Sequence, residues 1–257
     1  MKHIGLFEGI GGFSLAVRWM GWETIAWCEI NQFGQKVLGY HFPNANPHYD
    51  IKTTDFSIYR GQCDILTGGF PCQPFSNSGE QQGENDERYL FEQMLRAVRE
   101  IKPRWVVAEN VYSITSPKFK KLFHEICTSL ENEGYKVQPY IIPATAVEAE
   151  HERNRVWIVA YSDGIGLSGQ GSLLGQLQPT KIGNRKTSGF VNFVQRNAMP
   201  FVCSSHYGFP RKLAEYAIHG AGNAIVPQVA LQIFKAIVEC QNEMMNNERL
   251  CGVGLSA

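Results

Sequence analysis

A cysteine set between two prolines, in Gly69-Phe70-Pro71-Cys72-Gln73-Pro74-Phe75-Ser76, is the residue of this chain best suited by type to form a covalent bond. A free thiol has a pKa of about 8.5, so only a few per cent is thiolate near neutrality. A nucleophilic role therefore needs positive charge or dipoles close by. The prolines and the polar Gln73, Ser76, Asn77 and Ser78 describe an exposed, shaped loop. The opposing reading is a small buried hydrophobe, a common use of cysteine. Local composition leaves the two evenly matched.

A second cluster lies at the N-terminus. Phe7-Glu8-Gly9-Ile10-Gly11-Gly12 follows a short apolar strand and opens a helix. Glycines let the backbone approach a ligand closely, and a helix N-terminus adds exposed N–H donors. Glu29 ends the next strand, about 20 residues on, where a carboxylate can accept hydrogen bonds from ribose hydroxyls. Asp50-Ile51 could give adenine an acceptor and an apolar wall, although Asp50 alone reads first as a turn residue. The G-x-G-G spacing departs from the G-x-G-x-x-G of dinucleotide sites, and a tight structural turn is the alternative.

Positioning these groups falls to alternating strands and helices. Short apolar or β-branched runs over 4–7, 24–28, 64–67, 105–108, 135–142 and 156–160 predict strands. Helical spacing covers 13–19, then 86–103, where Leu90, Met94, Leu95, Val98 and Ile101 share a face and Pro103 closes it. Ser116 reads as an N-cap with Pro117 at the first helical position, and Gly134 as the stop. A last helix covers 227–240, with Val229, Ile233 and Ile237 on one face. The alternation predicts an α/β fold, a mainly parallel sheet with helices on both faces. Cys72 and Glu109 then fall at strand ends, where open α/β sheets bind ligands.

Bulk properties narrow the class. Of 257 residues, 44% are apolar and 19% charged, an ordinary globular mix. No apolar run approaches the roughly 20 residues of a membrane span. The opening residues reach a glycine loop at once, without a secretory h-region, so a cytoplasmic location and no membrane association are expected. Seven scattered cysteines, none in C-x-x-C spacing, predict reduced thiols and no metal site. Basic and acidic residues balance at 24 each, so attraction to nucleic acid must come from a local patch. One such patch exists. Residues 161–205 are rich in Gly, Ser, Gln and Asn and carry Lys181, Arg185, Lys186 and Arg196 against the single acid Asp163. The expected parse is a discontinuous α/β domain (1–160 and 206–240), a small basic insert (161–205) and a loose tail (241–257).

In this order along the chain, Phe7–Gly12, Gly69-Phe70-Pro71-Cys72-Gln73, Glu109-Asn110-Val111, Arg153-x-Arg155 and Gly222-Asn223-Ala224 resemble the motifs of the DNA (cytosine-5-)-methyltransferase family. The similarity spans roughly 3–160 and 207–240, nearly everything except the basic insert. It implies a Rossmann-like, S-adenosylmethionine-dependent methyltransferase sheet with a small irregular target-recognition insert. The implied reaction transfers a methyl group from S-adenosyl-L-methionine to C5 of a flipped-out cytosine in double-stranded DNA.

By this resemblance Cys72 is the nucleophile that adds to cytosine C6, and Glu109 protonates N3 and reads the N4 amino group. Arg155 holds O2 and orients Glu109, and Arg153 supports the site or a phosphate. Phe70 and Pro71 line the base pocket. Phe7 stacks on adenine, with Gly9, Gly11 and Gly12 forming the loop beneath the cofactor. Glu29 holds the ribose with Ile30 beside the adenine, Asp50 and Ile51 flank the ring, and Leu90, Asn223 and Ala224 close the pocket. The stretch 73–88 matches the loop that closes over the flipped base, and Gln73, Ser76, Ser78 and Arg88 become candidate DNA contacts. So do Lys181, Arg185, Lys186 and Arg196 of the insert. Because Asn223 must return to the glycine loop, the last helix is expected to pack back onto the first domain. The family's usual Pro-Gln before the arginine pair is here Glu150-His151, and no Arg-Glu-x-x-Arg helix accompanies the insert. Expected partners are DNA and a cognate restriction endonuclease, with the enzyme itself a monomer.

Overall fold

The computed structural model describes residues 1–71, 87–149, 152–162 and 224–252, without the side chains of 87–89 and 243–252. Seven strands form one sheet: β1 (Lys2–Leu6), β2 (Glu23–Cys28), β3 (Asn46–His48), β4 (Ile65–Gly69), β5 (Trp105–Val111), β6 (Tyr135–Ile142) and β7 (Arg155–Ser162). Their order is β3-β2-β1-β4-β5-β7-β6. Neighbours from β3 to β5 run parallel, and β7 lies antiparallel to both β5 and β6. The chain winds outward from β1 in both directions. The crevice outside the carboxyl ends of β1 and β4 is therefore the topological switch point, where such sheets bind ligands.

Both faces are covered, as a sheet with near-continuous apolar strands requires. On one side, helices α3 (Glu87–Ile101) and α4 (Lys120–Asn132) bury Met94, Val98, Ile101, Ile126 and Leu130 against Leu66, Val106 and Ile158. On the other, α1 (Gly12–Trp19) and α5 (Pro227–Gly252) bury Phe13, Val17, Val229, Ile233 and Phe234 against Ile65, Val107 and Trp157. The last helix thus packs back onto the first, as the sequence led us to expect.

Five features differ from the sequence reading. Helix α2 (Gln32–His41) and strand β3 were not expected. Gly34 and Gly39 weaken the helical pattern of α2, and β3 is a three-residue edge strand containing Pro47. Helix α4 starts at Lys120 rather than at Pro117. The Ser116 carbonyl accepts the Phe119 N–H in a single turn, and Phe119 itself (φ −112°) lies outside the helical region. Strand β5 continues through Glu109 to Val111, and α5 continues to Gly252, since no proline or glycine interrupts residues 241–251.

Candidate active site

Strand register sets out the site in a row. Leu6, the last residue of β1, pairs with Cys28 on one side and Gly68 on the other. Phe7, Glu29 and Gly69 therefore emerge side by side. Gly69 pairs with Glu109, and Val111 pairs with Arg155, the first residue of the reversed strand β7. One edge of the sheet thus gathers the glycine loop, the acid after β2, the Phe70-Pro71 turn leading to Cys72, the acid of β5 and both arginines.

Glu109 is 8% exposed and makes an ion pair with Arg155, Nε to Oε1 at 2.9 Å. Burial pushes its carboxyl up to about 7, against the opposing pull of Arg155 and then Arg153. Near neutrality such a group exchanges a proton readily, which suits a general acid. A Cβ on Gly69 would lie 3.3 Å from Glu109 Oε2, so glycine there leaves the carboxyl its space. Asn110, 2% exposed, points to the other face, where its Nδ2 donates to the Phe70 carbonyl at 3.2 Å. That bond ties the turn before Cys72 to the strand carrying Glu109. The sequence reading gave Asn110 no role, and only its place beside Glu109 hinted at one.

Arg153 donates from Nη2 to the Ala224 carbonyl at 2.6 Å and so joins the start of β7 to the segment entering α5. A Cβ on Gly12 would lie 2.7 Å from Ile225 Cγ1, so that segment packs directly on the glycine loop. Arg153 (φ 34°) and Phe7 (φ 50°) have left-handed backbones, a conformation that costs a side-chain-bearing residue roughly 1–2 kcal/mol. Strain of this kind concentrates where geometry serves function.

At the other end of the row, Gly9 (φ 58°) and Gly11 (φ 90°) shape the loop, and nothing lies within 4 Å of where a Gly9 Cβ would be. Glu29 Oε2 accepts the Gly9 N–H at 2.6 Å and Oε1 the Asn31 N–H at 2.7 Å. The carboxylate is thus fixed by two backbone N–H groups. Ile30 is 72% exposed beside it, an uncovered apolar surface. Asp50 accepts the Lys52 N–H at 2.9 Å and so does hold a turn, while Ile51 is buried in the core and its carbonyl is bound by Arg96. Leu90 packs on the same core, and the Phe70 and Phe91 rings meet at 5.4 Å. Gly34 was also missed: a Cβ there would sit 2.4 Å from the Gly9 carbonyl oxygen and 2.9 Å from Glu29 Cγ. Asn31, whose Oδ1 caps α2 at Phe33 and Gly34, was the available signal for that helix.

Cys72, Gln73, Ser76, Ser78, Asn223, Lys181, Arg185, Lys186 and Arg196 lie outside the described residues, and of Arg88 only the backbone, in the first turn of α3, is described. Among the described cysteines, burial pushes the Cys28 and Cys63 thiols up to about 12 and that of Cys127 to about 11. None of these three is poised as a nucleophile. The described residues contain no cluster of metal-ligating side chains and no helix long and apolar enough to cross a membrane.

Sheet order, glycine loop and the row of acids define a Rossmann-like α/β methyltransferase fold. The chain belongs to the C-5 cytosine-specific DNA methylase family, whose model matches residues 1–192. It is 35% identical over 159 residues to type II methyltransferase M.PspPI of Psychrobacter sp., a match covering 61% of this chain and 38% of that protein. Type II methyltransferase M.HhaI of Haemophilus parahaemolyticus is 30% identical over 168 residues, 65% of this chain and 51% of that one. The chain thus spans about half the length of these relatives or less. Among solved structures, a prophage-encoded DNA modification methyltransferase from E. coli superposes with a TM-score of 0.54 at 25% identity, covering 63% of this chain and 47% of the other. The S. pombe Dnmt2 methyltransferase superposes at 0.52 with 20% identity, a likeness of fold.

This family uses S-adenosylmethionine. The residues present fit such a group: Gly9 has an open face, Glu29 a carboxylate fixed by backbone N–H groups, and Ile30 an exposed apolar side chain.

Proposed function

We propose that the chain methylates C5 of a cytosine flipped out of a short double-stranded DNA site. The observation that carries this reading is Glu109, buried, with its carboxyl near 7, ion-paired to Arg155 at the sheet edge where β4 leads into Cys72. S-adenosylmethionine supplies the methyl group as an electrophile on sulfur. The work of the chain is to make C5 nucleophilic. The Cys72 thiolate adds to C6, and the electron density pushed into the ring is relieved as Glu109 gives its proton to N3. Arg155 holds O2 and, through its ion pair, aims Glu109. Once C5 carries the methyl group, its proton leaves to a base through water. The C6–S bond then breaks, the thiolate departs and the N3 proton returns to Glu109. Extruding the base costs a few kcal/mol, which phosphate and groove contacts must supply.

The same reading assigns Phe7, Gly9, Gly11, Gly12, Glu29, Ile30, Asp50, Ile51, Leu90, Asn223 and Ala224 to the cofactor, and Phe70 and Pro71 to the base. Residues 161–205 become the target-recognition segment of a catalytic domain formed by 1–160 and 206–240. We further propose a cytoplasmic, monomeric enzyme, working beside a cognate endonuclease as the type II names of its relatives suggest.

Covalent trapping tests the reading. Duplex DNA containing 5-fluorocytosine leaves a fluorine where the C5 proton would depart, so a working enzyme stays attached to the DNA on a denaturing gel. The expected result is a shifted band that requires cofactor and is lost in Cys72→Ala. No band across varied sequences, with cofactor binding intact, would overturn it.

A further inference from the structure

Beneath the glycine loop lies a second buried acid that the chemistry above does not use. Glu8 is 4% exposed, and burial pushes its carboxyl up to about 7. Its Oε1 accepts the Ser14 N–H at 2.7 Å, while its Oε2 is buried without a hydrogen-bond partner. Burying a carboxyl in this way is costly, so it must be held by something else in the fold.

What holds it is legible at Gly5. A Cβ at that position would stand 2.1 Å from Glu8 Oε2 and 2.7 Å from Glu8 Cδ. The carboxyl thus fills the space that any side chain on residue 5 of β1 would occupy. The floor of that space is rigid. The His3 ring, whose Cε1 lies 3.2 Å from the same point, is bound to Thr24 Oγ1 at 3.1 Å and Thr67 Oγ1 at 2.8 Å. Burial lowers His3 to about 3, so it brings no charge to the acid above it.

The carboxyl holds the start of α1 through Ser14, and the backbone of the same residue is tied at both ends of the loop. Its N–H donates to the Cys28 carbonyl at 3.3 Å, next to Glu29, and its carbonyl accepts the Gly11 N–H at 2.9 Å. Helix α1 otherwise starts poorly: its N-cap is Gly11, which offers no side chain, and its first turn has no acid. An acceptor at the Ser14 amide meets that need, because the first amides of a helix lack intrahelical partners.

We propose that Glu8 is a positioning residue for the cofactor loop: its carboxyl, seated over Gly5 and bonded to the start of α1, fixes the backbone of Gly9–Gly12 against which S-adenosylmethionine binds. This rests on the cofactor reading above. It makes Gly5 and Glu8 a pair. An acid can rise from β1 or reach back from the loop, but not both.

The test measures S-adenosylhomocysteine binding by calorimetry, and melting of the cofactor-free protein, for wild type, Glu8→Ala, Gly5→Asp and the double variant Gly5→Asp/Glu8→Ala. Losing one buried charge-assisted hydrogen bond should weaken binding about tenfold in Glu8→Ala. Gly5→Asp alone, with two acids in one space, should also bind worse than wild type. The double variant, delivering a carboxyl from β1 to the vacated place, should recover to within about threefold of wild type. Wild-type affinity in Glu8→Ala would overturn the proposal. So would a double variant that recovers its melting temperature but not its affinity, since the acid would then be structural only. If Glu8→Ala does not fold, the double variant decides: binding supports the proposal and its absence overturns it. A wild type that binds no S-adenosylhomocysteine would sink the cofactor reading itself, a result distinct from every pattern among the variants.

Discussion

Replacing Glu109 by glutamine keeps its shape and removes its charge. The carboxyl sits at about 7 in the folded protein against an ordinary value of 4.5. A raised folded-state value means the native protein holds a proton that the unfolded chain has released. Stability is therefore lost as pH rises from the unfolded value through the folded one, at about 1.4 kcal/mol per pH unit. Between about pH 5.5 and about pH 8.5 the wild type should lose about 2 kcal/mol from this group, and Glu109→Gln should lose none of it. The ion pair with Arg155 forms only as Glu109 ionises, and its pull is already contained in the folded-state value of about 7. The quantity to read is thus the change with pH in the stability difference between the two proteins.

Urea unfolding at the two pH values measures it, with equal slopes required for the comparison. Glu8 ionises over the same range in both proteins and cancels. The difference should move in favour of Glu109→Gln as pH rises. A pH-independent difference would mean a carboxyl ionised throughout this range, whether ordinary or held ionised by Arg155. That result would remove Glu109 as the proton donor to N3. Methylation by the variant should fall by about 10²–10⁴-fold, the usual worth of a positioned acid, with cofactor affinity unchanged.

Arg155→Ala leaves the Glu109 carboxylate buried without its nearest cation. It should cost about 3 kcal/mol of stability at alkaline pH and much less near pH 5, read by the same unfolding experiment. Gly34→Ala places a methyl 2.4 Å from the Gly9 carbonyl oxygen, and the loop must give way. Its expected cost is about 1–3 kcal/mol in stability with weaker cofactor binding, whereas Gly39→Ala, which meets nothing within 4 Å, should bind cofactor as wild type does. The methylation rate at saturating cofactor should pass through a maximum, rising as the Cys72 thiol ionises and falling as Glu109 loses its proton, and a rate that rises with no fall at high pH would refute the donor role.

How much could be read beforehand follows from the kind of signal each feature leaves. Buried strands show as short apolar runs, so β1, β2, β4, β5, β6 and β7 were legible, as were α1, α3 and α5 from their apolar spacing. Helix α2 was not, because its buried contact is chiefly Leu38 and Gly34 packs where a side chain would clash: its packing there calls for an absent side chain, not an apolar one. Glu109 and the arginines were found because motif order singles them out. Glu8 sat in plain view inside the glycine motif, but its role depends on Gly5 three residues earlier having no side chain. Only coordinates reveal that two positions share one space.

The reversed strand β7 explains most about how the site and the insert are joined. In an all-parallel sheet the first residue of a strand lies on the edge opposite the catalytic one, about 25 Å away for eight residues. Reversal instead brings Arg155, which begins β7, and Arg153 just before it to the edge of Glu109, which nearly ends β5. The same reversal sends the chain out at the far edge, where Tyr161 pairs with Trp105, the first residue of β5. It re-enters the described structure at Ala224, whose carbonyl is bound by Arg153 back at the catalytic edge. The insert proposed for target recognition, 161–205, is small. We therefore expect a target of only about two to four base pairs, with few side chains to read base edges while phosphate contacts set the position. Profiling methylated sites on random DNA checks this, and a long, strict site would refute it.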